Sequence, residues 1–413
     1  MEILSVDESR QSDLFTLKEE KAEGKDLVYR AGSALYDVLR SEYMPLYTKK
    51  ICVLCGKGNN GADGLALSFL LIKANIPVKI MLVSQADRLS SEARYYYDLL
   101  KHIKAEIFFV SSRNLREAAQ YMEGSDVIVD ALLGTGLNRE VTGLYGGVIE
   151  LINLQQADKI AIDISSGLNG NSGQVMGRAV QADLTVVMQQ YKYGNILNDA
   201  DDYTKRKIVK DIKIRSEKKS EVTLLQQSDV TAALRQPKQN VHKYQKGNIL
   251  VLGGSKGMEG ALVLCAQAAL RSGAGLVSIG ARKEAYLRTV CLAPTEVMLH
   301  ELDEEGIEGL LNKKTALATG MGLKKDESSL RLLQQLLQSG LPVVLDAGAL
   351  TILAENEEIM QSMHNKIILT PHTGELAALL HCEAQEVRNH PVQAAKEAAK
   401  KYQNVVVLKM NKT

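Results

Sequence analysis

The sequence lacks the features that mark secreted, membrane-spanning and nucleic-acid-binding proteins. Its 413 residues include five cysteines, an odd and scattered set that favours reduced thiols in a cytoplasmic protein. No apolar run approaches the ~20 residues of a membrane span, and the acidic N-terminus has no signal-peptide apolar region. The formal net charge of +1 leaves no basic surplus. We therefore expect a cytoplasmic protein that acts on a small molecule, with neither nucleic acid nor a membrane as partner.

Two of the cysteines, Cys52 and Cys55, have C-x-x-C spacing but do not fit a metal or redox site. They lie in the apolar run at residues 51–55, which predicts a buried strand. Side chains three positions apart on a strand point to opposite faces of the sheet. We therefore expect no shared chemistry at these two thiols.

Strand-like apolar runs alternate with helix-like patterns in both halves of the chain. Residues 1–48 are mostly helical in pattern, and the strand–helix alternation starts at Ile51. Such alternation predicts α/β domains with parallel sheets covered on both faces. The charged run at residues 216–221 has no apolar periodicity and is the best linker candidate. We predict domains at residues 1–215 and 222–413, and the differing loops indicate that the second does not repeat the first.

A glycine-rich stretch at residues 56–64 connects the first predicted strand to a helix that we expect from Asp63. Four glycines in nine residues allow a sharp turn and a close approach to a ligand. The helix N-terminus that follows would favour an anion. The stretch is neither G-x-G-x-x-G nor a P-loop. By itself it indicates either a site for a phosphate-bearing ligand or a tight turn that binds nothing.

Three polar loops follow predicted strands, at residues 56–64, 130–138 and 163–167. Ligands of such sheets bind outside the carboxyl ends of the strands, so these loops predict one shared site. Asn60, Asp130 and Ser166 offer oxygen ligands for a hard cation, and the absence of His and Cys from the loops argues against zinc. Asp163 could serve as a general acid or base. The alternatives are that both aspartates cap turns and that Ser166 only forms a turn.

These loops resemble, in order, the motifs of the NAD(P)H-hydrate epimerase domain across roughly residues 1–215. The matching segments are 27–32 (Leu-Val-Tyr-Arg-Ala-Gly), 56–64, 130–136 (Asp-Ala-Leu-Leu-Gly-Thr-Gly) and 163–167 (Asp-Ile-Ser-Ser-Gly). The resemblance implies a three-layer αβα Rossmann-like domain that interconverts the R and S epimers of hydrated NADH or NADPH. It implies that Asp163 acts at the reacting carbon and that Asn60, Asp130 and Ser166 bind K⁺. The substrate-binding positions that it implies are Asn59, Asn60, Gly61, Ala62, Asp63, Gly134, Thr135, Gly136, Leu137, Asn138, Arg139, Glu140 and Asp163.

Two residues depart from the epimerase motifs. Ala62 replaces the usual glycine, and Ser165 replaces the usual proline. Ala62 adds one methyl group, which is tolerable at negative φ. Neither change removes a chemical group that the reaction needs.

The second half resembles the ADP/ATP-dependent NAD(P)H-hydrate dehydratase domain, which has a ribokinase-like fold. The matching segments are 242–243, 247–255, 320–322, 345–347 and 369–375. The resemblance implies that Ala261, Gly322 and His372 contact the hydrate and that Lys409 binds the nucleotide, ADP or ATP with Mg²⁺. Taken alone, His372 could instead cap the helix that follows Pro371.

The second domain also departs from its family in ways that predict a partial fold and a lost activity. Gly348 replaces an acid, and Met410 replaces the glycine after Lys409. The sequence ends at Thr413, before the family's Gly-Asn segment and its Gly-x-Gly-Asp loop, which holds the transferred phosphate and the catalytic aspartate. We therefore expect no dehydratase activity from this chain, and ADP-dependent loss of the hydrate would contradict that expectation.

Two other functions remain open from the sequence. The chain could be a non-catalytic nucleotide-binding or protein-interaction module that keeps the fold, or a small-molecule kinase, which would need the phosphate-transfer loop. Sheets of this class often pair, which leaves a homo-oligomer open. No residue identifiably reads a ribose 2′-phosphate, so the sequence does not separate the hydrates of NADH and NADPH.

Overall fold

The computed structural model describes residues 1–234, 240–302 and 307–413 of the chain. They form two compact units, Met1–Thr231 and Ala232–Thr413. Within the described residues, no helix combines the length and apolar character that crossing a bilayer requires.

The first unit contains a parallel sheet covered by helices, as the alternating sequence pattern predicts. Seven of its described strands are ordered β4-β3-β2-β5-β6-β7-β9, and β1 pairs separately with β8. The elements are β1 (Ile3–Leu4), α1 (Val6–Glu20), α2 (Gly24–Glu42), β2 (Ile51–Cys55), α3 (Asn59–Lys73), β3 (Val78–Leu82), α4 (Ser91–His102), β4 (Ile107–Phe109), α5 (Leu115–Met122), β5 (Val127–Ala131), α6 (Gly143–Leu154), β6 (Asp158–Ile162), β7 (Ala182–Met188), β8 (Tyr191–Lys192), β9 (Thr204–Lys210) and α7 (Gln227–Ala233).

Strand β2 shows how the sequence produces two core layers. Val53 and Cys55 pack into one hydrophobic core, and Cys52 and Leu54 pack into the core on the opposite face of the sheet. All four are fully buried, because a central parallel strand is covered by helices on both sides. The two cysteines thus lie on opposite faces, as their odd spacing predicts.

The strand order reverses between β2 and β5, which opens a crevice at the carboxyl edge of the sheet. The chain runs from β2 outward to β3 and β4, and then returns to β5 on the other side of β2. Ligands of doubly wound sheets bind at such a switch point. The loop after β2 approaches the loop after β5 so closely that a Cβ on Gly56 would lie 1.9 Å from the Leu132 carbonyl oxygen. Only glycine fits there.

The second unit has a seven-stranded sheet of the same order, β12-β11-β10-β13-β14-β15-β16, again parallel throughout. Its loops differ in sequence from those of the first unit, which conceals the shared strand order. Its elements are β10 (Asn248–Gly253), α8 (Glu259–Arg271), β11 (Leu276–Arg282), α9 (Lys283–Leu292), β12 (Met298–Leu302), α10 (Glu308–Leu311), β13 (Ala316–Thr319), α11 (Glu327–Gln338), β14 (Val343–Leu345), α12 (Gly348–Glu355), β15 (Ile367–Leu369), α13 (Thr373–Leu380), α14 (Ala384–Asn389), α15 (Pro391–Tyr402) and β16 (Val405–Val406).

The segment that we predict as a linker, residues 216–221, runs along the N-terminal part of the first unit. The Ser220 hydroxyl donates to the Ile3 carbonyl at 2.7 Å, and the Ile3 N–H donates to the Val222 carbonyl at 3.1 Å. The hydroxyls of Ser12 and Ser216 are 2.7 Å apart. The boundary between the two compact units falls further along the sequence, between Thr231 and Ala232. The domain boundaries predicted from the sequence stay a prediction.

Replacing Gly56 by alanine should destabilise the first unit by about 3 kcal/mol, because the new methyl group would collide with the backbone of the loop after β5. Urea unfolding followed by tyrosine fluorescence measures the change. Gly58→Ala is the matched control, since nothing lies within 4 Å of a Cβ built at Gly58. If both variants unfold at the same urea concentration, the close approach at Gly56 is not a constraint on the fold.

Candidate active site

A cleft of about 1670 Å³ lies at the carboxyl edge of the first sheet. Its walls come from the loops that follow β2, β3, β4, β5, β6 and β7, and from helix α1. Because parallel strands end at one edge, residues far apart in the sequence meet in this cleft. Both the glycine-rich loop and Asp163 line it.

Hydrogen bonds tie the three predicted loops together beneath the cleft. The Asn60 amide nitrogen donates to the Leu133 carbonyl at 2.9 Å. The Ser166 hydroxyl and backbone N–H donate to the two carboxylate oxygens of Asp130 at 2.6 and 2.8 Å. The Leu133 N–H donates to the Ser166 hydroxyl at 2.8 Å. Asn60, Asp130 and Ser166 therefore belong to one network that fixes the loops relative to one another.

Asp130 places a carboxylate in the interior of the protein. It is fully buried, and burial raises its pKa to about 6, although hydrogen bonds from Ser166 and Leu132 act in the opposite direction. The other members of this network are neutral: the Ser166 hydroxyl, the Leu133 carbonyl and the Asn60 amide. No group of three or more His, Cys, Asp or Glu suited to a metal occurs among the described residues. One carboxylate with neutral oxygens fits a hard cation of low charge and does not fit zinc.

Asp163 occupies a strained position directly after β6. Its φ is +64°, a left-handed conformation that costs a non-glycine residue about 1 kcal/mol and that aspartate tolerates better than most. One carboxylate oxygen accepts from the Lys192 ammonium at 2.6 Å and from the Met188 N–H at 3.0 Å. The Asn195 amide donates to the Asp163 carbonyl at 2.8 Å. These contacts fix the direction of the carboxylate.

Lys192 is a functional candidate that the sequence reasoning missed. Its side chain is only 4% exposed, and that of Asp163 is 17% exposed. The Lys192 ammonium also donates to the Met188 carbonyl at 2.9 Å, so the end of β7 satisfies this buried charge. Ligands bind at the carboxyl ends of parallel strands, and Lys192 lies in the segment that follows β7. That rule could have indicated this segment from the sequence.

Asp13 is a second missed residue, carried into the cleft by α1. Burial raises its pKa to about 6, Lys192 lowers it, and Asp163 raises it further. Asp63 lines the same cleft, and burial, Asp163 and Asp13 raise its pKa well above the ordinary value. Three carboxyl groups thus face one ammonium group. Burial and the repulsion between carboxylates both favour the protonated forms of Asp13 and Asp63.

The structure brings most of the predicted substrate-binding residues of the first unit to the cleft. Residues 134–140, Asn59, Asn60, Asp63 and Asp163 line it. Gly61 and Ala62 lie behind the wall instead, because α3 begins at Asn59 and not at Asp63 as predicted. Ala62 is fully buried within a helical turn, so its methyl group causes no backbone strain. Asp130 and Ser166 lie beneath the cleft floor.

Ser165, the other departure from the epimerase motifs, is satisfied in the interior. It is fully buried, and its hydroxyl lies 3.1 Å from both the Tyr203 carbonyl and the Thr204 hydroxyl.

In the second unit, His372 takes the capping role that its sequence position allows. It is the N-cap of α13, and its Nδ1 accepts from the N–H groups of Gly374 and Glu375 at 3.0 and 3.3 Å. Its side chain is still 60% exposed. The backbone of Lys409 pairs with this segment, and its N–H donates to the Pro371 carbonyl at 2.8 Å. Contact of His372 with a ligand stays a prediction.

The other predicted residues of the second unit lie on segments that follow β10, β13 and β16. Gly322 has φ +69°, and its carbonyl accepts from the Ser255 N–H at 2.8 Å, which joins the loops after β10 and β13. Ala261 is exposed in the first turns of α8. The Lys409 ammonium pairs with Asp346. A Cβ on Gly348 would lie 2.4 Å from the Leu323 carbonyl oxygen, so an acidic residue there would require a backbone shift.

Comparisons with known proteins match both halves of the chain. Residues 24–194 match the family described as YjeF-related protein N-terminus, and residues 249–413 match the family described as NAD(P)H-hydrate dehydratase. The bifunctional NAD(P)H-hydrate repair enzyme of Coxiella burnetii is 35% identical over 389 residues, covering 93% of this chain and 77% of that protein. That of Escherichia coli is 32% identical over 387 residues, with 93% and 72% covered.

A solved structure is similar to part of the chain. It is the ADP/ATP-dependent NAD(P)H-hydrate dehydratase of Bacillus subtilis, co-crystallised with ATP and Mg²⁺, at 30% identity and a TM-score of 0.41. The match covers 46% of this chain and 68% of that protein.

The names of these relatives support neither the expected loss of dehydratase activity nor a non-catalytic module. The matches extend across both units, and the range 24–194 contains the loops after β2, β5 and β6 that line the cleft. The chain belongs to the family of bifunctional NAD(P)H-hydrate repair enzymes.

Proposed function

We propose that the first unit interconverts the R and S epimers of hydrated NADH and NADPH in its cleft. The observation that carries this proposal is the carboxylate of Asp163, which a buried ammonium holds at the cleft wall beside two carboxyl groups of raised pKa. Such a constellation can both accept and supply a proton. Family membership supports the choice of substrate.

The chemistry of the substrate explains why both kinds of group are needed. The hydrate is a carbinolamine, in which the hydroxyl-bearing carbon is bonded to the ring nitrogen. Removing the hydroxyl proton while that carbon–nitrogen bond opens gives an aldehyde, and the nitrogen takes up a proton. Rotation and closure on the other face return both protons and invert the carbon. Each half of the cycle therefore needs one proton acceptor and one proton donor.

We assign the acceptor role to Asp163 and the donor role to Asp63. Lys192 is a positioning residue that holds the Asp163 carboxylate by its 2.6 Å hydrogen bond. Asp63 suits the donor role because burial and the neighbouring carboxylates raise its pKa well above the ordinary value, which favours its protonated form. Asp13 supports that state, since its negative charge raises the pKa of Asp63.

For the cation of the epimerase site we propose K⁺, held by oxygens of Asn60, Asp130 and Ser166. The buried Asp130 carboxylate and its neutral oxygen neighbours support this choice. When bound, K⁺ would offset the charge of Asp130 and stiffen the loops that position the substrate.

For the second unit we propose dehydration of the hydrate driven by ADP or ATP with Mg²⁺. Ala261, Gly322 and His372 would contact the hydrate, and Lys409 would bind the nucleotide. The family match over residues 249–413 supports this assignment, as does the pairing of Lys409 with the segment before α13. Epimerisation in the first unit would then make both epimers available to the second reaction.

Asp163→Asn should slow epimerisation by about 100-fold or more, because the amide cannot accept the hydroxyl proton. Chiral chromatography of the hydrate, started from one pure epimer, measures the rate. Asp37→Asn, on the exposed face of α2 and outside the cleft, is the matched control and should equilibrate the epimers normally. Equal rates for Asp163→Asn and the unchanged chain would remove Asp163 from the mechanism.

Asp13→Asn should stabilise the folded chain at pH 8 by roughly 2 kcal/mol. The folded-state pKa of about 6 lies above the unfolded value near 3.8, so the ionised carboxylate opposes folding above pH 6. The gain should shrink between pH 6 and pH 4, where the folded state binds its proton. Urea unfolding at several pH values measures this profile.

Asp7→Asn is the control on the same helix, because its side chain is 79% exposed and should give no such gain. A pH-independent effect of Asp13→Asn would contradict the raised pKa.

Adding KCl should raise the melting temperature of the first unit more than equal concentrations of choline chloride, because K⁺ compensates the buried charge of Asp130. Differential scanning calorimetry measures the shift without any substrate. Asp130→Asn should abolish the difference between the two salts, whereas Asp126→Asn, at the opposite edge of β5, should keep it. Identical melting in both salts would rule out the K⁺ site.

A further inference from the structure

The cleft extends beyond the residues that family resemblance assigns to the substrate. Those residues follow β2, β5 and β6, at the centre and on one side of the sheet. A second arm of the cleft reaches the other side, where Arg88, Phe109, Ser111 and Ser112 line it. At about 1670 Å³ the cleft is larger than the ~300–1,000 Å³ of an ordinary ligand site. The arm therefore provides room for more than the reacting ring.

The two ends of the cleft are separated by a distance that suits a dinucleotide. Asp163 follows β6, and Phe109 ends β4, four strand positions away in the sheet. Neighbouring strands are about 4.8 Å apart, so these ends are roughly 19 Å apart. An extended dinucleotide with its reacting ring at Asp163 would place its adenosine in the arm beside β3 and β4.

The middle of the cleft has the groups that a pyrophosphate requires. Lys57 and Arg139 line it next to the first residues of α3. Tyr145 lies close to both, because it forms a hydrogen bond with the Lys57 backbone and is affected by the charge of Arg139. Both effects lower the pKa of Tyr145, whereas burial raises it. Two cations beside a helix N-terminus favour phosphate. The strand order thus sets the order of ring, pyrophosphate and adenosine.

Two side chains of the arm fit the adenosine half in particular. Phe109 is 42% exposed, and its ring is fixed by an edge-on contact with Tyr97 at 6.3 Å between centroids. An exposed aromatic face stacks on a nucleobase. Arg88 is exposed and forms no ion pair with any carboxylate in the described part of the chain.

The residues that directly follow β3 include one acid, Asp87, and it does not line the cleft. In dinucleotide-binding folds, an acidic residue after the second strand binds the free ribose hydroxyls, whereas an arginine there accommodates a 2′-phosphate. Here the cleft residues after β3 are Val83, Ser84, Gln85, Ala86 and Arg88. The acid Glu92 also lines the cleft, but it belongs to α4 and accepts a hydrogen bond from the Ser91 hydroxyl at 2.8 Å. The Ser90 N–H donates to the Lys57 carbonyl at 2.9 Å, so the loop of Arg88 is anchored to the glycine-rich loop.

We propose that the arm between the ends of β3 and β4 binds the adenosine half of the substrate and that Arg88 receives its 2′-phosphate. The chain then prefers the hydrate of NADPH to that of NADH. This inference rests on the proposed function for its substrate, but the binding of adenosine nucleotides tests it without any turnover.

The binding test uses adenosine 2′,5′-bisphosphate and adenosine 5′-monophosphate, titrated calorimetrically into the full chain. The bisphosphate should bind about tenfold more tightly. Arg88→Ala should abolish this difference, and Arg116→Ala, an exposed arginine outside the cleft, should preserve it. Any binding by the second unit is the same in all three proteins and cancels in the comparison. Equal affinity for the two nucleotides, or a difference that survives Arg88→Ala, would overturn the proposal.

Phe109→Leu tests the stacking partner with little change in apolar volume. It should weaken both nucleotides equally, by about fivefold or more, while urea unfolding stays close to that of the unchanged chain. Unaltered affinity would show that adenine does not stack on Phe109.

A kinetic comparison separates this inference from the proposed reaction. Arg88→Ala should raise the KM for the NADPH hydrate about tenfold, with kcat and the KM for the NADH hydrate unchanged. If both hydrates epimerise and neither KM moves, the adenosine assignment fails and the epimerase survives. If no epimerisation occurs but the nucleotide preference depends on Arg88, the reaction fails and the binding arm survives.

Discussion

The buried ion pair between Lys192 and Asp163 is the interaction on which the first unit's site depends. Removing an ammonium group from water is costly, and a salt bridge offsets that cost only when other hydrogen bonds complete it. Here Met188, at the end of β7, bonds to both partners: its carbonyl accepts from the Lys192 ammonium, and its N–H donates to the Asp163 carboxylate. The sheet edge therefore supplies the partners that allow a charged pair to exist in a sheltered cleft.

This pair also determines the charge state of its surroundings. One ammonium group does not balance the negative charges of Asp13, Asp63 and Asp163 together, and burial and this repulsion raise the pKa of Asp13 and of Asp63. A few residues near the pair, contributed by α1, α3 and the loop after β7, thereby bring carboxyl groups of raised pKa into the cleft.

The sequence predicts the sheet and the meeting of its loops, since apolar strands and glycine-rich connections are local signals. It does not reveal the start of α3, because four glycines indicate a loop and the observed helix begins within them at Asn59. No local sequence pattern indicates that Asp13 lies in the cleft. It enters the cleft because β1 pairs with β8 and a hydrogen bond from the Val6 N–H to the Asn171 side chain, 2.8 Å long, fixes α1. Contacts across 165 residues of sequence are not visible in a local pattern.

In the second unit, too, the sequence pattern does not reveal how distant segments are arranged. Its strand order equals that of the first unit, yet the two loop sets share no motif. Strand order depends on crossover connections and on which strands become neighbours, and many loop sequences satisfy both. Loop residues, in contrast, carry the chemistry, which is why they are the part that family resemblance recognises.

The proposed epimerisation requires the cleft of the first unit alone. The most direct measurement starts from one pure epimer of the NADPH hydrate, with the full chain and no ADP or ATP, and follows both epimers by chiral chromatography. We expect the other epimer to form at a rate far above that in buffer until the two reach equilibrium. A rate equal to that in buffer would contradict it.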